Sequence, residues 1–483
     1  MRYPTVEMSA RSAGLIKHLG ERSMKIRFFG AARTVTGSCF HLALNERQFL
    51  VDCGMHQGKD SYAVNRAPFP FIPSEIEAMF LTHAHIDHSG LIPRLVEKGF
   101  SGSIITTAAT ADLASVMLMD SAHIQEKDAE WLTKKSFRIG EDIVHEPLYT
   151  TEDARAVTGL FDKKSYGKTG QLGKGLRFRF DDAGHILGSG SLELWYQDSP
   201  AEKKIVFSGD IGKKNNPILN DPSYIADADY VVMESTYGNR LHKALEESIS
   251  ELADAIKVTF KRGGNVIIPS FAVGRTQDVL YILNRLNNEK RLPPINIYVD
   301  SPLAEQATKV YLAHPEVYDK EALTMLREHR ANGIKLHFTE SVADSQRINN
   351  IRSGAVIIAG SGMCEGGRIQ HHLKHNVWRP ECSVVFVGFQ AEGTLGREIV
   401  EGVKTVSVLG EPIAVRAHIY TINGFSAHAD RKELLQWLGA FKNKPEVFIV
   451  HGEEMVSTDF AETVRQTLGI TALVPIKGEE FDI

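Results

Sequence analysis

Residues 83–88 read HAHIDH: three histidines and an aspartate within six positions, in a chain with 19 histidines among 483 residues. A surface loop has no need of that density. A metal centre does, because zinc takes imidazole nitrogen and carboxylate oxygen, and a catalytic zinc keeps a position for water. In an extended segment, His83, His85 and Asp87 point to one side and His88 to the other. One short segment can therefore serve two neighbouring metals. Four side chains cannot complete two sites, so the rest of the chain must contribute. Candidates stand at the ends of apolar runs: His185 in DDAGHILGSG, Asp210 in FSGDIG and His451 in IVHGEE. A single His or Asp in such a place is usually a cap or a solvated group. The spacing of His83 to His88 is too dense for that reading.

These residues need elements to hold them. From Met24 to about residue 229 the chain reads as short strands: QFLVDCG, AMFLTH, GSIITT, LRFRFDDAGH, SLELWY, KIVFSGD and YVVMES. Several of these strands end in a polar cluster, where an α/β sandwich presents its loops. A helix-rich stretch over 108–163 interrupts them. Its second helix, TEDARAVTGLF, takes Thr151 as its expected N-cap. After Gly238 the texture becomes regular strand–helix alternation, which implies a parallel sheet with crossovers. The helices expected there include ones around 321–330 and 340–352. The expected domains are therefore 24–236, a Rossmann-like 237–422, and a returning segment, 423–483. Residues 1–23 read as an N-terminal extension, or Met24 is the true start.

Composition narrows the class. Hydrophobic content of 43% and charged content of 24% are those of an ordinary soluble globular protein. A net charge of −5 excludes a strongly basic nucleic-acid coat, so an anionic substrate must be drawn by a local positive feature. The four cysteines have neither zinc-knuckle nor disulfide-framework spacing, which fits a reduced, cytoplasmic compartment. No apolar run is long enough for a membrane span, and the first residues lack the core of a secretory signal.

With H-x-H-x-D-H, a later G-H, S-G-D and V-H-G, the chain resembles the metallo-β-lactamase fold. With a second domain placed before the last two histidine motifs, it resembles more narrowly the β-CASP nucleases. The resemblance covers about 24–483. It implies an αββα sandwich carrying an inserted Rossmann-like β-CASP domain. It implies two zinc ions, one held by His83, His85 and His185, the other by Asp87, His88 and His451, with Asp210 between them. Asp52 matches the family's first motif and would orient a ligand histidine. Glu234 in MESTYG matches the acidic motif that opens the β-CASP domain, and His428 in GFSAHAD its catalytic histidine. DNA-processing relatives carry an apolar residue where His451 stands, so the histidine points to RNA. The expected activity is a zinc-dependent ribonuclease on single-stranded RNA. Asp87, Glu234 and His428 are its catalytic side chains, and 3′-OH and 5′-phosphate ends its products. Whether it acts as an endonuclease, an exonuclease or both is not readable.

Further residues are expected to grip the RNA backbone. PSFAVGRTQ and AGSGMCEGGRIQ share a plan of strand, small-residue turn, Gly-Arg and helix. Helix N-termini bind phosphate, and Arg275 or Arg368 adds charge beside Ser361 and Gly362. Arg397 in GFQAEGTLGR is a further family position. The bland alternative is that these arginines start helices and pair locally. His371 and His375 read as a polar helix face, His418 as structural and His56 as cleft wall. GKTGQLGKG is a glycine-rich turn without a P-loop pattern. Competing readings are a small-molecule hydrolase on the same metal core, a DNA nuclease of the β-CASP group, and a non-catalytic RNA-binding subunit. The insert of roughly 185 residues opposes the first, and the intact ligand set opposes the last. The RNA-binding and C-terminal appendages of some relatives have no counterpart, which suggests a compact bacterial form. The sequence leaves a homodimer open.

Overall fold

The structure is a computed structural model, and it describes residues 24–483 except 59, 199–200, 320–321, 323–333, 340, 389 and 391–392. The N-terminal extension and the helix expected around 321–330 lie outside the described residues. Strand formation follows the alternation of side chains. Met24–Phe28 buries Met24, Ile26 and Phe28 and leaves Lys25 and Arg27 in water, where both pair with Glu480.

Two seven-stranded sheets face one another among the described residues. The first runs from Glu480–Asp482 through Met24–Phe28, Phe40–Leu44, Arg47–Val51, Ile76–Phe80 and Ser103–Thr107 to Phe161–Lys164. The second runs from Ala472–Leu473 through Glu446–Val450, Tyr230–Glu234, Ala201–Phe207, Gly190–Asp198 and Leu176–Asp182 to Gly170–Gln171. Phenylalanines fill the space between them: Phe28, Phe40, Phe49, Phe80, Phe178 and Phe448. The outer faces are covered by helices. Leu50, Met79 and Ile104 of the first sheet pack under the long helix Ala108–Arg138, and Val231, Met233 and Ile449 of the second under Arg431–Leu438 and Glu454–Leu468. This is an αββα sandwich.

A six-stranded sheet follows in the order Ile334–Phe338, Ile295–Asp300, Ala355–Ala359, Val266–Pro269, Ser383–Phe386 and His418–Thr421. All its pairings are parallel. Its central strands Val266–Pro269, Ala355–Ala359 and Ser383–Phe386 are buried on both faces because helices cover both. Leu245–Lys261 and Arg275–Asn288 lie on one side, Arg368–Asn376 and Leu395–Val400 on the other. The chain then re-enters the sandwich, and Glu446–Val450 pairs parallel to Tyr230–Glu234.

Local differences from the sequence reading have identifiable causes. The cap of Thr151–Val157 is Thr150, not Thr151: its side chain accepts from Asp153 N–H while the Asp153 carboxylate accepts from Thr150 N–H. That reciprocal pair satisfies two orphan donors at once, which Thr151 cannot do. Phe161 belongs to the strand Phe161–Lys164 because it extends the first sheet beside Ile104. The expected 340–352 helix is shorter, Val342–Ile348. The hairpin of Thr405–Val408 with Glu411–Ala414 was not anticipated. No helix among the described residues is long and apolar enough to cross a membrane, and Cys39, Cys53, Cys364 and Cys382 are free and buried.

Candidate active site

The HAHIDH segment is extended only through His85. Ile86–Ser89 closes into a short helix, with His88 and Ser89 N–H groups donating to the His85 carbonyl (2.9 Å each). Asp87 and His88 therefore diverge by helical rather than strand geometry. Gly54 makes this turn fit: a Cβ there would stand 1.6 Å from the Asp87 carbonyl oxygen.

Asp52 follows the strand Arg47–Val51 in a left-handed conformation (φ 60°). Its carboxylate accepts from Thr82 N–H and Thr82 Oγ1, each at 2.8 Å, and faces His88 Nδ1 at 2.8 Å. With Nδ1 so held, His88 turns Nε2 inward, 3.1 Å from His451 Nε2 and 3.4 Å from Asp210 Oδ1. His451 comes from the end of Glu446–Val450 and is steadied by Thr236 Oγ1 at 3.1 Å. Asp87 Oδ2 lies 3.5 Å from His451 Nε2. On the other side, His85 Nδ1 is 3.2 Å from both His83 Nε2 and His185 Nε2. Those two nitrogens lie 3.4 and 3.5 Å from Asp210 Oδ2.

Two donor groups result, one of His83, His85, His185 and Asp210, the other of Asp87, His88 and His451, each with atoms within 4.8 Å of one another. Asp210 faces both. The donors fit zinc. Two nitrogens each about 2.0–2.1 Å from a tetrahedral ion are about 3.3 Å apart, close to the spacing of these imidazole pairs. Asp210 Oδ1 is buried without a hydrogen-bond partner, an arrangement natural for a ligand atom.

At His83 and His85 the electrostatics agree with ligation by neutral imidazole, whereas at His88 burial is outweighed by the carboxylates of Asp210 and Asp52, which hold the pKa well above the usual histidine range. Burial, then His88, holds His83 well below the usual histidine range, and burial brings His85 down to about 4. Burial opposes ionisation of Asp210, yet His451, His88 and His83 keep its carboxyl well below the normal range.

His428 stands beside these groups without joining either. Its Nδ1 is 3.1 Å from Glu234 Oε2, its Nε2 is 4.0 Å from Asp210 Oδ2, and its side chain is 20% exposed. Burial opposes its charge, but Glu234 and then Asp210 push its pKa up to about 9. Glu234 is itself fixed by the Ile211 N–H (2.5 Å). Glu234 and Asp210 thus favour the protonated form of an imidazole whose Nε2 faces Asp210.

The expected RNA-gripping residues lie in the parallel domain. Ser361 and Gly362 form the turn after Ala355–Ala359, where a Cβ on Gly362 would meet the Phe271 ring at 2.7 Å. Arg275 is turned inward: it is 7% exposed and donates to the Val387 carbonyl at 2.8 Å, so it braces the domain rather than facing solvent. Arg368 binds Asp300 Oδ1 (2.7 Å) and the Thr339 carbonyl (3.0 Å). Arg397 pairs with Glu401 at 2.7 Å on its own helix. His418 is exposed at the start of an edge strand of the six-stranded sheet, away from the donor groups.

Asp300 escaped the sequence reading. It ends the strand Ile295–Asp300, fully buried, and gathers Arg368, His372 Nε2 (2.6 Å), Ser345 Oγ (2.6 Å) and Thr339 Oγ1. The signal was there, an aspartate closing an apolar run as Asp52 does. Asp300→Asn is expected to cost about 3 kcal/mol in urea unfolding, because it leaves buried donors and a cation uncompensated. Burial opposes ionisation of Asp300, but its hydrogen bonds hold the carboxyl below the usual range. Its contribution is thus full above the unfolded value of about 4 and is lost as pH falls below it, so the wild-type advantage should shrink there.

Residues 33–269 match the metallo-beta-lactamase superfamily, 276–399 the Beta-Casp domain, and 412–475 the Zn-dependent metallo-hydrolase RNA specificity domain. A ribonuclease of Thermus thermophilus is 36% identical over 95% of this chain and 98% of its own. An RNase J-like protein of Methanocaldococcus jannaschii is 31% identical over 94% and 98%, and the transcription termination factor FttA of Methanosarcina mazei 30% over 92% and 70%. A solved protein of unknown function from Enterococcus faecalis shares the fold at TM-score 0.54 and 10% identity, covering 95% of this chain and 100% of that one. Geometry and similarity agree over nearly the whole length, and the chain belongs to the β-CASP ribonuclease family of the metallo-β-lactamase superfamily.

Proposed function

We propose that the protein hydrolyses phosphodiester bonds of single-stranded RNA, using two zinc ions held by the two donor groups. The observation that carries this reading is the Glu234–His428 pair facing Asp210, between both groups. Two zinc ions would supply Lewis acidity at the scissile phosphate and an acidified water as nucleophile. The chain does the rest. Asp52 holds His88 in the orientation that presents Nε2. Glu234 holds His428 by Nδ1 and favours its protonated form, and His428 Nε2 delivers that proton to the departing 3′ oxygen. The products are 3′-OH and 5′-phosphate ends. Similarity to the named ribonuclease, and a histidine rather than an apolar residue at 451, support RNA over DNA.

The test is digestion of single-stranded RNA labelled at either end, with and without chelator, beside a DNA of the same sequence. RNA should be cut, chelator should abolish cutting, and zinc should restore it. Product sizes separate internal cuts from trimming. Cutting that survives exhaustive chelation overturns the metal reading. DNA cut as fast as RNA overturns the substrate.

A further inference from the structure

The long helix Ala108–Arg138 does more than cover a sheet. It starts at the wall of the site: the side chain of Thr107, its N-cap, donates to the Gly188 carbonyl, three residues beyond His185. Trp131 then lies about 35 Å along the helix from its first turn. Ala122, Ala129 and Ser136 form the buried face. At about 100° per residue, Lys127, Asp128, Trp131, Lys134, Lys135 and Arg138 share the opposite, outward stripe.

This stripe is unusual in two ways. Trp131, at its centre, is 58% exposed. Four cations there, Lys127, Lys134, Lys135 and Arg138, stand beside two carboxylates, Asp128 and Glu130, on a chain of net charge −5. Lys127 pairs with Glu130 at 3.2 Å, and Lys135 Nζ sits 5.2 Å from the Trp131 ring centroid. Lys134, Lys135 and Arg138 have no carboxylate partner among the described residues. The chain leaving the helix carries Glu141 and Asp142. It folds back along the inner side, where His145 N–H donates to Thr133 Oγ1 (2.9 Å) and the His145 ring meets Ser136 Oγ (3.0 Å). The stripe is left open.

We propose that this stripe is a second, non-catalytic contact for single-stranded RNA: a base stacks on Trp131 while Lys134, Lys135 and Arg138 bind neighbouring phosphates. An exposed aromatic among unpaired cations is the combination that holds single strands without reading sequence. The inference rests on the RNA substrate proposed above and extends it. RNA running out of the site along the helix is gripped far from the bond that breaks, so long substrates gain affinity that short ones cannot.

The experiment compares wild type, Trp131→Ala and the double variant Lys135→Gln with Arg138→Gln. Each is titrated by fluorescence anisotropy with a labelled unstructured RNA of about 30 nucleotides and with a tetranucleotide. For the long RNA, Trp131→Ala should raise Kd about tenfold. The double variant should reduce the slope of log K against log salt by about 1.4. Affinity for the tetranucleotide and its cleavage rate should not change. Unchanged Kd for the long RNA overturns the proposal, as does an equal loss for both RNAs. A halved mass in light scattering with unaltered RNA affinity also overturns it, making the stripe a contact between copies of the chain. Wild type that binds neither RNA defeats the substrate reading itself. Wild type that binds and cuts both, with indifferent variants, defeats only the stripe.

Discussion

Asp210→Asn is expected to reduce RNA hydrolysis at least about 10³-fold, equivalent to about 4 kcal/mol of lost transition-state stabilisation. The substitution keeps the shape of the side chain and removes its charge. One carboxylate oxygen lies 3.4 and 3.5 Å from His83 and His185 Nε2, and the other 3.4 and 3.6 Å from His88 Nε2 and His451 Nδ1. Loss of its charge should weaken both proposed metal sites together, so bound zinc, measured by elemental analysis, should fall with activity. A variant that keeps wild-type zinc content and wild-type rate would remove Asp210 from the centre of the mechanism.

His428→Ala should behave differently. Activity is expected to fall about 10²- to 10⁴-fold, the range for loss of a general acid, while zinc content stays at the wild-type level. The ring touches Glu234 through Nδ1 and stands 4.0 Å from Asp210, outside either donor group. The decisive comparison uses bis(p-nitrophenyl) phosphate, whose leaving group departs without needing a proton. On that substrate the loss should shrink to about tenfold or less. A penalty equal on both substrates assigns His428 to binding or charge stabilisation instead. Glu234→Gln, which keeps the contact but not the charge, should fall between wild type and His428→Ala.

The donors were legible because each carries a chemistry-bearing side chain at the end of an apolar run, and strand ends are visible in a sequence. The alternation of MKIRF and the doubly apolar runs VIIP and AVIIA announce a one-sided and a two-sided strand. What stayed hidden depends on contacts between distant residues. The helical turn Ile86–Ser89 forms because the neighbouring chain around Gly54 leaves room for it, and no local signal records that room. Thr150 and Thr151 are equal as caps until Asp153 returns its bond to one of them. Arg275 and Arg368 occupy similar Gly-Arg turns, yet one is sealed beneath Val387 and the other bound to Asp300. Strand-end chemistry is a local property, whereas the direction in which an arginine points is a property of the packed domain.

The strand Glu446–Val450 lies between Tyr230–Glu234 and Ala472–Leu473, and it delivers His451 to His88 across 363 positions of sequence. That arrangement has a consequence during synthesis. The ribosome must finish the whole parallel domain before the strand can insert and the second donor group can close. A nascent chain shorter than 451 residues lacks that histidine altogether. Under the mechanism proposed above, in which His451 is a metal ligand, the centre can be completed only after nearly all of the message has been read.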